Sequence, residues 1–125
     1  MKIGILGAGS IAAKMAETVS KMKNAEIYAV SSRSISKAEN FAKKYKIKKA
    51  FGSYEEMIKD ENVELIYIAT PHSHHFEHAK LCLENKKPVL CEKSFTMNSA
   101  QAKELVELSK KQNTYLAEAI WTRYM

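Results

Sequence analysis

The chain has 125 residues, 46% of them hydrophobic and 27% charged, and carries a net charge of +6 from 18 Lys and 2 Arg against 14 acidic residues. That is one domain's worth of ordinary globular composition, long enough to bury a core and short for an enzyme that must hold both a cofactor and a substrate. No signal-like segment opens it and no apolar stretch is long enough to span a bilayer, so a cytoplasmic protein with no membrane partner is expected.

Strand-like and helix-like segments alternate. Lys2–Leu6 reads as a strand, and Ser10–Met22 as a helix with Ile11, Met15, Val19 and Met22 on one face. Glu26–Ser31 is a strand. Ser36–Tyr45 follows as a helix, with Ser36 and Glu39 as a capping box and Ala38, Phe41, Ala42 and Tyr45 inward. Lys48–Phe51 is a short strand, and Ser53 with Glu56 makes a second capping box before a short helix to about Lys59. Glu64–Ala69 is nearly all apolar, as a central parallel strand should be. Ser73–Asn85 is a helix with Phe76, Ala79 and Leu83 inward, and Pro88–Cys91 a strand. Asn98–Lys111 is a helix opened by Asn98 and Gln101, with Ala102, Leu105, Val106 and Ser109 on one side, and Thr114–Ala119 is the last strand. The methionines and the aromatics Tyr28, Phe41, Tyr45 and Phe76 read as core.

Strict alternation with short links predicts an α/β fold with a parallel sheet and helices on both faces. Right-handed crossovers favour the doubly wound Rossmann order 3-2-1-4-5-6. The lysines at 21 and 23, 43 to 49, 86 and 87, and 110 and 111 fall at expected helix ends, where they complement the dipole. They lack interleaved aromatics and arginine, which argues against a nucleic-acid surface, although the charge favours an anionic ligand. Cys82 and Cys91 have neither zinc nor thioredoxin-like spacing and read as buried reduced thiols.

Gly7-Ala8-Gly9-Ser10-Ile11-Ala12 reads G-x-G-x-x-A. It directly follows the first strand and opens a helix within a βαβ unit, the context in which the motif cradles a dinucleotide pyrophosphate. Gly7 would permit the tight turn, Gly9 the backbone's approach to the phosphates, and Ala12 the close packing of helix on strand. The competing reading is a tight turn in a flavodoxin-like fold. At the end of the second strand, Val30-Ser31-Ser32-Arg33-Ser34 has no acid for a ribose 2′-hydroxyl. Ser32 and Arg33 can instead hold a 2′-phosphate, which predicts NADP over NAD; an ordinary exposed loop arginine is the alternative.

Two further clusters fall at strand ends, where ligands bind in open α/β sheets: Ala69-Thr70-Pro71-His72-Ser73-His74-His75 and Cys91-Glu92-Lys93-Ser94. Lys93, beside a nicotinamide, could hold a substrate hydroxyl and move its proton. Of the four histidines between 72 and 78, His74 and His78 are spaced to share a metal, but no third ligand stands at helical spacing. A helix start lining the cofactor cleft accounts for them better, and no metal is expected.

Together these residues resemble the N-terminal half of the glucose–fructose oxidoreductase / inositol dehydrogenase (Gfo/Idh/MocA) family. The resemblance runs through Gly7–Ala12, Ser32-Arg33, "ATPHSHH" at 69–75, "KKPVLCEKS" at 86–94 and "EAIWTRYM" at 118–125. The last stretch is most similar to the branch containing dimeric dihydrodiol dehydrogenases and NADP-dependent xylose dehydrogenases. The resemblance implies that NADP, or NAD as the alternative, lies along the strand ends, and that hydride passes between it and a carbinol carbon of a sugar or cyclic diol. It places the catalytic lysine on Lys93 and cofactor-lining positions on Thr70, Pro71, His75 and Glu92, beside the neighbouring His72. Trp121, Thr122 and Arg123 fall on the crossing into a second domain, close to the nicotinamide end, which makes Trp121 and Arg123 expected cofactor contacts. Ser94 replaces the family's usual proline and loosens the loop behind Lys93. The expected organisation is a dinucleotide-binding domain over 1–119, with 120–125 beginning the crossing. A substrate domain and dimer interface would lie in the parent protein, and the chain alone is not expected to turn over. A stand-alone dinucleotide sensor and, more remotely, a basic RNA-binding fold are the rival readings.

Overall fold

Of the 125 residues, the computed structural model describes residues 1–69, 75–91 and 99–118. The elements alternate throughout: β1 (Lys2–Leu6), α1 (Ser10–Ser20), β2 (Glu26–Ser31), α2 (Ile35–Tyr45), β3 (Lys49–Phe51), α3 (Tyr54–Ile58), β4 (Leu65–Ile68), α4 (His75–Glu84), β5 (Val89–Cys91), α5 (Ser99–Gln112) and β6 (Leu116–Glu118). The six strands form one parallel sheet in the order β3-β2-β1-β4-β5-β6. This is the predicted doubly wound order, and its direction of progression reverses between β1 and β4.

Side chains alternate between the faces of the sheet, and each face has its own core. Ile3, Ile5, Val30 and Tyr67 pack under α1 and α2 through Met15, Ala16, Val19, Ala38, Phe41 and Ala42. Leu6, Ala29, Ile66, Ile68 and Val89 pack under α3, α4 and α5 through Met57, Ile58, Ala79, Cys82, Leu83 and Leu105. Tyr67 is fully buried among aliphatic side chains at the centre of the sheet. Gly4 faces α3, where an added Cβ would lie 3.0 Å from both Met57 Sδ and Val63 Cγ1. Its missing side chain is what lets α3 and the turn after it sit directly on β1. Lys87 pins that turn to the sheet's other half: its Nζ donates to the Asp60 carbonyl at 2.8 Å and the Val63 carbonyl at 2.6 Å. Burial lowers the Lys87 pKa, against the opposing pull of Asp60.

Several local expectations give way to tertiary context. α1 ends at Ser20, with the Lys21 and Met22 amides bonding back to Thr18 and Val19, and Met22 is left 54% exposed. Met1 is also exposed, so among the described residues the buried methionines are Met15 and Met57. The cap of α2 is Ser34, whose Oγ accepts from the Lys37 amide at 3.4 Å, and Ser36 falls inside the helix. Ser53 is the N-cap of α3 without a side-chain cap bond, so that capping box does not form. Val106 is exposed, because α5 packs against α4 and only Leu105 of that pair reaches the core. Cys82 is a buried free thiol as expected.

Candidate dinucleotide-binding site

The chain leaves β1 at Leu6 and turns at Gly7, whose φ of 110° lies where residues with a Cβ are strained. The Gly7 amide donates to the Ser31 carbonyl of β2 at 2.8 Å, and the Ala69 amide after β4 donates to the Leu6 carbonyl at 2.9 Å. The turn is therefore tied to both neighbouring strands, in the crevice where the sheet order reverses. Gly9 then caps α1 and its carbonyl accepts from the Ala13 amide at 3.0 Å.

The three small residues of the motif are small for different reasons. Gly7 answers to a backbone torsion. Ala12 is fully buried in the core beneath α1. Gly9 answers to neither: its φ of −96° and ψ of −162° suit any residue, and an added Cβ would meet nothing within 4 Å. Nothing internal to the described protein requires a glycine there. Among the described residues no side chain caps α1, and its first turn carries no acid, so its opening amides keep their partial positive charge. By contrast, Ser34 caps α2, and Glu55 and Glu56 stand in the first turn of α3. An uncapped helix start behind open space fits a pyrophosphate, whose oxygens would take the amides and whose bulk would fill the space over Gly9.

At the end of β2 the backbone is held as firmly. The buried Ser31 Oγ donates to the Ile5 carbonyl at 3.4 Å. The Ser32 amide donates to the Phe51 carbonyl of β3 at 3.1 Å, and the Ser32 Oγ accepts from the Ser34 amide at 3.2 Å. Ser32 is only 9% exposed, and among the described residues its hydroxyl proton has no acceptor and can donate to a ligand. Arg33 stands exposed at the apex and, among the described residues, enters no hydrogen bond or ion pair.

Arg33 borders a cleft of about 710 Å³ that runs between the β3–α3 turn and α4, past Gly52, Tyr54, Phe76 and His78. Tyr54 and His78 meet edge to face with ring centroids 4.8 Å apart. His78, weighed above as half of a metal pair, is thus a wall of this cleft. Glu55, Glu77 and Glu84 also line it, and Lys80 is paired with Glu104 at 3.1 Å. Among the described residues, Arg33 is the cation of this cleft that has no acidic partner. Gly52, Tyr54 and Phe76 were not legible as site residues: the β2–β3 pairing brings Gly52 beside Arg33, and Tyr54 and Phe76 join them only where α3 and α4 meet.

The structure therefore joins Gly7, Ala8, Gly9, Ala12, Ser32 and Arg33 along one edge of the sheet. Ser10 and Ile11 take part through the backbone of the first turn of α1, and His75 begins α4. Thr70, Pro71, His72, Glu92, Lys93, Trp121 and Arg123 lie outside the described residues. The strands that lead to them end side by side, Ile68 of β4 opposite Cys91 of β5.

A positive-φ glycine turn, a glycine kept small toward open space, and an uncapped helix start at the switch point of a 3-2-1-4-5-6 sheet define a dinucleotide-binding Rossmann domain. Residues 1–119 match the model of the Gfo/Idh/MocA oxidoreductase family, described as an NAD-binding Rossmann fold, and the chain belongs to that family. It is 44% identical over 126 residues to trans-1,2-dihydrobenzene-1,2-diol dehydrogenase of Mus musculus, covering 99% of this chain and 38% of that protein. It is 52% identical over 103 residues to D-xylose 1-dehydrogenase (NADP(+)) of Hypocrea jecorina, covering 79% of this chain and 26% of that protein. Among solved structures, a probable dehydrogenase from Thermotoga maritima superposes with a TM-score of 0.89 at 28% identity, covering 95% of this chain and 36% of that one. The chain thus spans well under half the length of these relatives. No helix among the described residues is long and apolar enough to cross a membrane.

Proposed function

We propose that this chain is the NADP(H)-binding part of a cytoplasmic oxidoreductase that moves hydride between a nicotinamide and a carbinol carbon of a sugar or cyclic diol. One observation carries the cofactor half of this reading: Gly9 is small toward open space, in front of amides that have no side-chain cap among the described residues. The printed activities of the relatives, a diol dehydrogenase and an NADP-dependent xylose dehydrogenase, support the substrate class.

The first-turn amides of α1 hold the pyrophosphate. Arg33 pairs with the 2′-phosphate, and the Ser32 hydroxyl donates to it. Thr70, Pro71, His72, His75 and Glu92 line the cofactor, with Trp121 and Arg123 at the crossing into a substrate domain. The bound cofactor supplies or accepts the hydride. As the carbinol carbon loses hydride, Lys93 in its neutral form takes the hydroxyl proton; in reverse its ammonium returns that proton to the carbonyl oxygen. The substrate domain encloses the reaction, excludes water and forms a homodimer in the parent protein.

A side-by-side titration with NADPH and NADH, followed by thermal shift, tests the reading. Greater stabilisation by NADPH supports both the cradle and Arg33. Greater stabilisation by NADH keeps the cradle and removes the role of Arg33. No shift with either, repeated on a chain that includes the substrate domain, removes the cradle.

A further inference from the structure

We infer that Gly52 is a positioning residue for cofactor choice: it keeps the end of β3 close enough to α2 to hold the Arg33 turn in place. The inference rests on the reading of Arg33 as the 2′-phosphate contact.

Residues 32–35 form a braced unit. The Ser32 amide is bonded to Phe51, the last residue of β3, and the Ser34 amide to the Ser32 Oγ. Ser34 in turn caps α2. Gly52 follows Phe51 directly and touches the far side of this unit. A Cβ added at Gly52 would lie 3.0 Å from Ile35 Cβ and 3.5 Å from Ile35 Cα. Ile35 is the first residue of α2, so its Cβ moves only with its backbone. No rotamer change relieves this contact, as one would if the crowded atom ended a flexible chain.

Core packing does not explain the glycine. Gly52 is itself exposed, and Ile35 is 46% exposed. Its φ is not in the left-handed region, so alanine is permitted by torsion. What a side chain at 52 would change is the spacing between the β3 exit and the start of α2. Relief to ordinary contact needs a shift of roughly 0.5 Å, and the brace passes that shift to Arg33. A guanidinium–phosphate pair depends on two parallel bonds of about 2.7–2.9 Å, so such a shift costs affinity only for a ligand that carries the 2′-phosphate. Gly52 and Arg33 also line the same cleft, which places the change beside the ligand.

The test measures NADPH and NADH dissociation constants for the full chain and four variants. Gly52→Ala is expected to lower the NADPH preference about tenfold, leaving NADH binding within about threefold, as expected for loss of one charge-assisted pair. Gly52→Ala/Ile35→Gly removes the crowded Cβ and should restore most of the preference. Arg33→Ala should abolish the preference, and Gly52→Ala should then add nothing in the Arg33→Ala background. Equal losses for both nucleotides, an unchanged preference, or no rescue by Ile35→Gly would overturn the role of Gly52 while leaving Arg33 in place. A preference unchanged by Arg33→Ala would remove the Arg33 reading instead, and this inference with it.

Discussion

Gly9→Ala should separate folding from cofactor binding. Among the described residues the new methyl meets nothing within 4 Å, and the torsions suit alanine. The cost to the fold is the poorer helix cap, about 0.5–1 kcal/mol. In the complex, the same methyl projects into the space assigned to the pyrophosphate. Weakening of about 30-fold corresponds to about 2 kcal/mol. With ligand at a hundred times the parent's dissociation constant, the parent gains about 2.7 kcal/mol and the variant about 0.9. At about 2.1 cal/mol/K per residue of unfolding entropy, those gains appear as melting shifts of about 10 °C and about 3 °C. Differential scanning fluorimetry with and without NADPH reads both quantities at once. A variant that keeps the parent's full ligand-induced shift would refute the placement of the pyrophosphate over Gly9.

Gly4→Ala is the complementary case: with Met57 and Val63 both 3.0 Å from the added Cβ, overpacking should cost about 1–3 kcal/mol in denaturant melts. The nucleotide dissociation constants should stay unchanged. Ser34→Ala should destabilise by about 0.5–1 kcal/mol and Ser36→Ala by much less, since Ser34 makes the cap bond; the reverse ranking would contradict the observed cap. Lys87→Met removes the donor to two carbonyls and should cost about 1–2 kcal/mol at pH 8. Burial holds the Lys87 pKa below the ordinary 10.5, so toward pH 10.5 the unfolded chain keeps a proton that the folded chain has released. Parent stability therefore rises relative to the variant over that window, and a gap that narrows between pH 8 and pH 10 would contradict this. In the parent enzyme with its substrate domain, Lys93→Met should abolish turnover while leaving NADPH binding intact. Undiminished turnover would remove the proton-handling role and favour a sensor.

The element order and the glycine fingerprint were legible because they depend on near neighbours. Apolar runs such as 65–68 and the 3.6-residue spacing of Ala38, Phe41 and Ala42 report which face is buried. Gly7 and Gly9 directly after a strand restrict the turn that can follow. Right-handed crossovers then leave few sheet orders, and the observed one is among them. Choices between equivalent local signals were not legible. Ser34 and Ser36 are both plausible caps, and the decision falls to the turn that the bond from Ser32 to Phe51 imposes. Met22 and Val106 match their helices' apolar spacing but are exposed, because α1 stops early and α5 turns Leu105 rather than Val106 to the core. The cleft beside Arg33 joins it to residues 19 to 51 positions further along the chain. Sequence by itself determined which segments are strands and helices and where phosphate-binding amides would lie. Only the tertiary structure decided which side chains face one another across that edge, because those distances depend on how α3 and α4 pack on the sheet.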